Sequence, residues 1–308
     1  MRLRHVLLAT FIAAIWGFNF VPIKVGLESF PPLLFAALRF AAAALPAVFF
    51  VRRPPVGWRW LALIGLPLGV GQFGLLFIGM HLGMPAGLSS VLLQTQALFT
   101  ALFAGLFLRE RLTVMRAAGM AVAFGGVALL GAAQSGGRGG PVLAFLLCVG
   151  AAAMWALANV GMRRMNETAG APVDAFGFMV WMSLVPILPL LALSLAFEGP
   201  GAIPWAVHHV TWAGAGSLAY IAYVSTLVGF GAWGWLMRRY PAGTVGMYSL
   251  LVPPFGLASA VVVLGEHVGA LRLTAAALIV GGVALSGLRL PTRPVPVPLT
   301  EPLLEPTR

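Results

Sequence analysis

The chain has 308 residues, of which 60% are apolar and only 9% are charged. A soluble domain carries about 25% charged residues, so this composition excludes a water-soluble enzyme. The formal net charge of +11 comes from Lys and Arg residues scattered between apolar runs without a basic stripe, which argues against a nucleic-acid-binding protein and leaves a polytopic membrane protein.

Ten apolar runs are long enough to cross the roughly 30 Å hydrocarbon core, which takes about 20 helical residues. In chain order they lie near residues 6–26, 32–51, 59–80, 84–108, 113–132, 141–161, 173–196, 211–236, 242–264 and 269–288. The first run resembles a signal peptide, but it continues through Trp16 and Asn19 to Lys24 without a small-residue cleavage site. We therefore expect it to be retained, and the sequence predicts an all-α membrane protein with ten transmembrane helices.

The Lys and Arg residues fall mainly in alternate connections between these runs. With the N-terminus inside, fifteen of the 19 lie in cytoplasmic segments, three (Lys24, Arg138 and Arg272) lie on the opposite side, and Arg39 lies within the second run. This excess predicts, by the positive-inside rule, that both termini face the cytoplasm. Residues 291–308 are rich in proline, which cannot continue a helix, so we expect a disordered cytoplasmic tail.

The chain contains an internal repeat. Residues 85–131 align without a gap to residues 241–287 at a constant offset of 156, and 15 of the 47 positions are identical. The matches include Pro85 with Pro241, Glu110 with Glu266, and Arg116 with Arg272. Because each unit has five spans, an odd number, the two units enter the membrane from opposite sides. The sequence thus predicts inverted repeats at 1–138 and 139–290, an arrangement typical of secondary transporters that use alternating access.

Several segments also resemble a known family. They are WGFNFVPIKVGL, PPLLFAALRF, GMPAGLSSVLLQTQA and RERL in the first unit, and LVGFGAWGWLMRRYPAGTVGMYSLLVPPFGLASA, LGEHV and GGVAL in the second. Through these segments, nearly the whole chain resembles the EamA-type transporters of the drug/metabolite transporter superfamily, and among them it most resembles exporters of amino-acid metabolites. This resemblance implies a ten-helix transporter of the cell inner membrane that exports small metabolites.

The sequence favours export of small amino-acid-like metabolites and leaves several alternatives. A broad-specificity drug exporter of the same superfamily is the nearest alternative; an intramembrane lipid-modifying enzyme and a channel or scaffold are the others. The enzyme would need a catalytic carboxylate, histidine or metal cluster at a consistent depth. No Asp or Glu lies in the middle of a run, since Asp174 is at the edge of the seventh, the histidines lie near loops, and there is no Walker A, HExxH or CxxC motif. We expect no enzymatic activity, cofactor or metal; the expected partners are a small-molecule substrate and the lipid bilayer, and the sequence leaves both a monomer and a homodimer open.

Arg39 is the most costly polar residue of the predicted spans, because it lies near the middle of the second one. Its guanidinium is either a bidentate anchor for a substrate carboxylate or a structural group bonded to backbone carbonyls. The other candidate substrate-binding residues are amide or aromatic side chains within spans: Trp16, Asn19, Gln72, Gln94, Gln96, Asn159, Tyr220, Tyr223 and Tyr248. Gln94 and Gln96 are two residues apart on a helix, so they are expected to point in different directions.

Three further charges are candidate gate or interface groups. Lys24, near the end of the first span, either attracts an anionic group or gates the entrance; alternatively, it reaches to the interface or pairs with Glu28. Glu110 and Glu266 end equivalent spans, and for both we favour charge pairing at the membrane interface over gating.

Overall fold

The computed structural model describes residues 1–109, 113–134, 140–169 and 173–287, and over these residues the chain is helical without strands. Nine helices in this part of the chain have at least 18 residues and are apolar enough to cross a membrane. They are α1 (Leu3–Gly26), α3 (Trp58–His81), α4 (Ala86–Leu108), α5 (Val114–Ala133), α6 (Val142–Thr168), α7 (Ala175–Phe197), α8 (Trp212–Met237), α9 (Gly243–Leu264) and α10 (Ala270–Gly287).

The remaining predicted span corresponds to α2 (Pro32–Val48), which is 17 residues long. At about 1.5 Å per residue it lies at the short end of the range for a spanning helix, so nine long helices and one shorter one take the ten predicted places. A short helix, Ala202–His209, connects α7 to α8. The predicted tail at 291–308, the predicted boundary at 138/139 and Glu110 lie outside the described residues.

The helices begin in two different ways. Proline stands at or just before the start of α2, α4 and α9, where its fixed φ suits the first turn, but its side chain cannot accept a hydrogen bond from the helix. Asp174 and Thr211 instead precede α7 and α8, and each side chain accepts a hydrogen bond from the backbone N–H three residues later, at 2.7 Å and 3.0 Å. Thus α7 and α8 cap their own N-termini, whereas α2 and α4 do not.

Irregular helical geometry recurs at related places in the two halves. π-Helical segments occur in α3 at Leu66–Phe73 and in α8 at Tyr220–Val228. α4 is interrupted at Gln94–Thr95, and α9 carries a 3₁₀ segment at Met247–Leu251, which is where the offset of 156 places its counterpart. Departures of this kind often mark functional positions in helices.

α5 and α10 pack backbone against backbone. A Cβ atom at Gly119 would lie 2.6 Å from the carbonyl oxygen of Gly282, and one at Gly126 would lie 2.9 Å from that of Ala275. The offset of 156 exchanges these two contacts, as a two-fold axis requires. Because the numbers rise along α5 as they fall along α10, the helices are antiparallel and the axis lies across them, in the membrane plane. The predicted inversion of the repeats is therefore confirmed.

The surface and the core match a protein embedded in lipid. Trp212, Phe50 and Val262 are 96%, 88% and 81% exposed, and such side chains suit the hydrocarbon and its interface rather than water. The main buried cluster includes residues of both halves, for example Phe35 in α2 and Ile279 in α10. The two halves, α1–α5 and α6–α10, therefore share one core.

Two faces of the helix bundle follow from this order of helices. The Glu198 face is the one at which α2 and α4 begin and α7 and α9 end, with Glu198 and Glu266 just beyond the last two. The Asp174 face is the opposite one, where α7 begins after Asp174.

Candidate functional site

Arg39 is buried in the middle of α2, with only 3% of its surface exposed. Its Nη2 donates a hydrogen bond to Thr226 Oγ1 at 3.0 Å, and its Cζ lies 3.7 Å from the centroid of the Phe73 ring. Within the described part of the chain, Nε and Nη1 are buried and have no hydrogen-bond partner. A buried cation with two unused donor atoms is costly, and it is suited to an anionic ligand.

The surroundings of Arg39 come from the π-helical segments of both halves. Phe73 ends the segment of α3, and Thr226 lies in the segment of α8. The Thr226 hydroxyl donates to the carbonyl oxygen of Ile221, five residues earlier, at 2.7 Å, which fixes its oxygen towards Arg39. The guanidinium is therefore held between an aromatic face from one half and a hydroxyl from the other.

α1 packs against the same π-helical segment of α8. Trp16 Nε1 donates to the carbonyl oxygen of Ser225 at 3.0 Å, and the Tyr220 hydroxyl donates to the carbonyl oxygen of Ile15 at 2.9 Å. Because Ser225 and Thr226 are consecutive, Trp16 and Arg39 contact neighbouring positions of α8.

Asn19 lies one helical turn beyond Trp16, on the same side of α1. It is 8% exposed, and its Oδ1 is buried without a hydrogen-bond partner among the described residues. The described residues thus include unused buried donors on Arg39 and an unused buried acceptor on Asn19.

Gln94 and Gln96 connect different helices, as their spacing predicts. Gln94 Nε2 donates to the carbonyl oxygen of Ser249 in α9 at 2.9 Å. Gln96 Oε1 accepts from Asn159 Nδ2 in α6 at 2.7 Å, and Asn159 also donates to Thr100 Oγ1 at 3.2 Å. Gln94 therefore joins α4 to the backbone of α9, and the amides of Gln96 and Asn159 join α4 to α6.

The remaining candidate residues are more scattered. Gln72 is buried in the π-helical segment of α3, whereas Tyr223 in that of α8 is 43% exposed. Tyr248 is partly buried and packs against a cluster that includes Ala9 and Leu236, against which Trp16 also packs. The structure thus brings Trp16 and Arg39 to the segment of α8 that contains Tyr220, and Trp16 links this segment to the cluster of Tyr248.

At the Glu198 face, the carboxylates contact helix N-termini. Glu266 accepts hydrogen bonds from the backbone N–H groups of Ala86 and Gly87. Lys24, for which an ion pair with Glu28 is one of the expectations, donates to the carbonyl oxygen of Met80 at 3.0 Å.

Three residues of this arrangement are absent from the sequence-based candidates: Phe73, Thr226 and Glu198. Glu198 accepts from the backbone N–H groups of α2, as Glu266 does from those of α4. One signal in the sequence points to it, because Glu198 follows the apolar run of α7 just as Glu266 follows that of α9. The contact of Phe73 with Arg39 has no comparable signal, since it depends on how α3 is rotated about its axis.

Comparisons with known proteins match this architecture over almost the whole chain. The model of the EamA-like transporter family matches residues 3–132 and 142–288, one segment for each half. The "Probable amino-acid metabolite efflux pump" of Salmonella typhimurium is 42% identical over 279 residues, covering 91% of this chain and 93% of its own length. The protein of the same name from Escherichia coli is 39% identical over 291 residues, covering 94% and 97%.

A solved crystal structure shares the fold. It has a TM-score of 0.59 and 22% sequence identity, and the match covers 93% of this chain and 97% of that one. With two family matches that coincide with the two inverted halves, and with relatives above 30% identity over more than 90% of their length, the chain belongs to the EamA-like transporter family.

Proposed function

We propose that this protein exports small amino-acid-like metabolites across the cell inner membrane by alternating access, with Arg39 as the anchor for the substrate carboxylate. The observation that carries this proposal is the pair of unused donors, Nε and Nη1, on a guanidinium buried between the two halves. A group at this position is accessible in turn from each face if the halves rock against each other. The names of the two efflux pumps similar to this chain support the substrate class.

The surroundings of Arg39 favour a zwitterion over a simple anion. Asn19 Oδ1 offers an unused acceptor one helical turn beyond Trp16, whose indole contacts the same α8 segment, and an acceptor suits a substrate ammonium group. We propose that Arg39 binds the carboxylate and Asn19 the ammonium. The remaining predicted residues, including Gln72, Tyr220 and Tyr223, stay candidates for contacts with the substrate side chain.

The proposed orientation places the Asp174 face in the cytoplasm with both termini. The excess of Lys and Arg in the connections at that face supports it, since fifteen of the 19 basic residues fall there and in the two terminal segments. The Glu198 face is then periplasmic, and export requires the substrate to leave through it.

Transport by purified protein in proteoliposomes tests the anchor. Arg39→Lys keeps the charge but loses the bidentate geometry, so export of a carboxylate-bearing amino acid is expected to fall at least tenfold per folded protein. Export of the corresponding amide or methyl ester is expected to change much less. Equal losses for both substrates would show that Arg39 has a structural role.

Arg53→Lys is the matched control. Arg53 also stacks on an aromatic ring, with its Cζ 4.7 Å from the Trp58 centroid, and also donates one hydrogen bond, but it lies in the connection between α2 and α3. Its replacement is expected to leave export of both substrates unchanged. Asn19→Leu tests the second contact: it is expected to reduce export of the free amino acid and to spare its N-acetylated analogue.

A further inference from the structure

Two glutamates hold the two halves together at the Glu198 face with nearly identical geometry. Glu198, just after α7, accepts hydrogen bonds from the backbone N–H groups of Leu33 and Leu34 at 2.6 Å and 3.1 Å. Glu266, just after α9, accepts them from Ala86 and Gly87 at 2.6 Å and 3.0 Å. Each carboxylate belongs to the second half, and each pair of N–H groups belongs to the first.

The helices joined in this way are counterparts in the two repeats. α7 is the second helix of its half and binds α2, the second helix of the other; α9 is the fourth and binds α4. In both cases the carboxylate at the end of one helix reaches the N-terminus of its own counterpart. The same contact between a carboxylate and a helix N-terminus thus occurs twice in the molecule.

The sequence explains why the acceptors come from the other half. The first N–H groups of a helix have no partner within it, and the helix dipole makes this end positive. α2 starts at Pro31–Pro32 and α4 starts after Pro85, so neither helix has a side-chain cap of its own. A carboxylate that accepts two backbone N–H groups in this setting forms charge-assisted hydrogen bonds, which are stronger than neutral ones.

We propose that Glu198 and Glu266 form a latch that keeps the Glu198 face closed, and that both must release their helices when the exporter opens to this side. The proposal rests on the proposed function in one respect: opening of this face is a step of alternating access. Water replaces both sets of partners when the latch opens, so the net contribution of each bond is modest and the closure is reversible. The Ser194 hydroxyl, which donates to Glu198 Oε2 at 2.6 Å, holds one of the two carboxylates in position.

Thiol labelling of purified protein in nanodiscs measures this opening without any substrate. The probe is Ile23→Cys in a Cys148→Ala background, because Ile23 is completely buried three residues before the end of α1 at the Glu198 face. We expect Glu198→Gln and Glu266→Gln each to accelerate labelling by a water-soluble maleimide about tenfold, and the double variant to accelerate it further. Full labelling in denaturing detergent calibrates the signal.

Asp174→Asn is the matched control for the loss of a capping carboxylate. Asp174 caps α7 itself and pairs with Arg238 at 3.0 Å, so its bonds stay within the second half. Its replacement is expected to leave labelling at position 23 unchanged. Unchanged labelling in both glutamate variants, or equal acceleration in Asp174→Asn, would overturn the proposal.

A reversible cross-link tests whether the face must open during transport. A Cβ atom at Gly87 would lie 3.2 Å from Ala260 Cβ, so Gly87→Cys with Ala260→Cys is placed to form a disulfide between α4 and α9 beside Glu266. Oxidation is expected to abolish export by the double variant, and a reductant is expected to restore it, while export by the Ala260→Cys single variant is expected to respond to neither treatment. Undiminished export by fully cross-linked protein would refute the latch. A parent protein that exports no amino acid would instead contradict the proposed function, and the labelling result would be unaffected.

Discussion

The two ends of the α2–α7 pair are joined in different ways. At the Glu198 face, the Glu198 carboxylate accepts two backbone N–H groups at the start of α2. At the Asp174 face, where α2 ends and α7 begins, Trp181 Nε1 donates a single neutral hydrogen bond to the carbonyl oxygen of Val51 at 3.0 Å. One end of the same helix pair is therefore bound by a charge-assisted pair, and the other by a single neutral bond.

The difference originates in the residues at the helix ends. It shows how two repeated halves can be bonded differently at the two ends of one helix pair. α2 begins with two prolines and needs an external acceptor, whereas α7 follows Asp174 and caps itself. α2 is followed by Phe49, Phe50 and Val51 and then by Arg52 and Arg53, so no carboxylate follows it as Glu198 follows α7. A few residues at the helix ends thus set which end of the α2–α7 pair is held more firmly, although the helix packing repeats in both halves.

The largest effect is expected at the contact between α5 and α10, which joins the two halves between the two faces. Gly282 lies against the backbone of α5, whereas a Cβ atom at the adjacent Gly281 meets open space. Gly282→Ala forces α5 and α10 apart, and overpacking of this kind costs about 1–3 kcal/mol. We expect the yield of monodisperse protein to fall severalfold in fluorescence-detected size-exclusion chromatography.

Gly281→Ala is the control, and its yield is expected to match that of the parent. Equal yields for the two variants would show that the α5–α10 contact does not hold the halves together. The two faces would then not be related through a rigid α5–α10 contact at the two-fold axis.

An intermediate effect is expected at the Arg39 site, which lies between the two faces. Thr226→Val removes the hydroxyl that accepts from Arg39 and keeps the shape of the side chain, so the guanidinium loses its bond to α8. Export per folded protein is expected to fall about tenfold, with Thr226→Ser close to the parent. This loss corresponds to the lower end of the range of about 1.5–3 kcal/mol that a hydrogen bond to a charged group contributes. Proteoliposome flux measures both; an undiminished rate in Thr226→Val would mean that Arg39 needs no support from the second half.

The sequence predicts the membrane class, the order of the spans and the inverted repeat, because hydropathy and the 156-residue offset depend on composition along the chain alone. It also predicts the cost of burying Arg39 and the divergence of Gln94 and Gln96. It does not predict the π-helical segment at Tyr220–Val228, which contains no proline or glycine, or the contact of Arg39 with Phe73. Those features depend on how each helix is rotated against its neighbours, and helices that are apolar on all sides give no pattern from which to read that rotation.

The smallest effect is expected at the Asp174 face. Trp181→Phe keeps an aromatic ring against Trp58, whose centroid lies 6.2 Å from that of Trp181, and removes only the donor to Val51. A single neutral hydrogen bond contributes about 0.5–1.5 kcal/mol, and at the lower end of this range this face is expected to open about twofold to threefold more often. The measurement is maleimide labelling of Met179→Cys, one turn into α7 and 9% exposed, in the Cys148→Ala background. Labelling of Ile23→Cys is expected to stay constant or slow down, since the two faces open alternately. If Trp181→Phe accelerates labelling at position 179 as strongly as Glu198→Gln does at position 23, the two ends of α2 and α7 are equally firm, and the asymmetry between the faces must come from other residues.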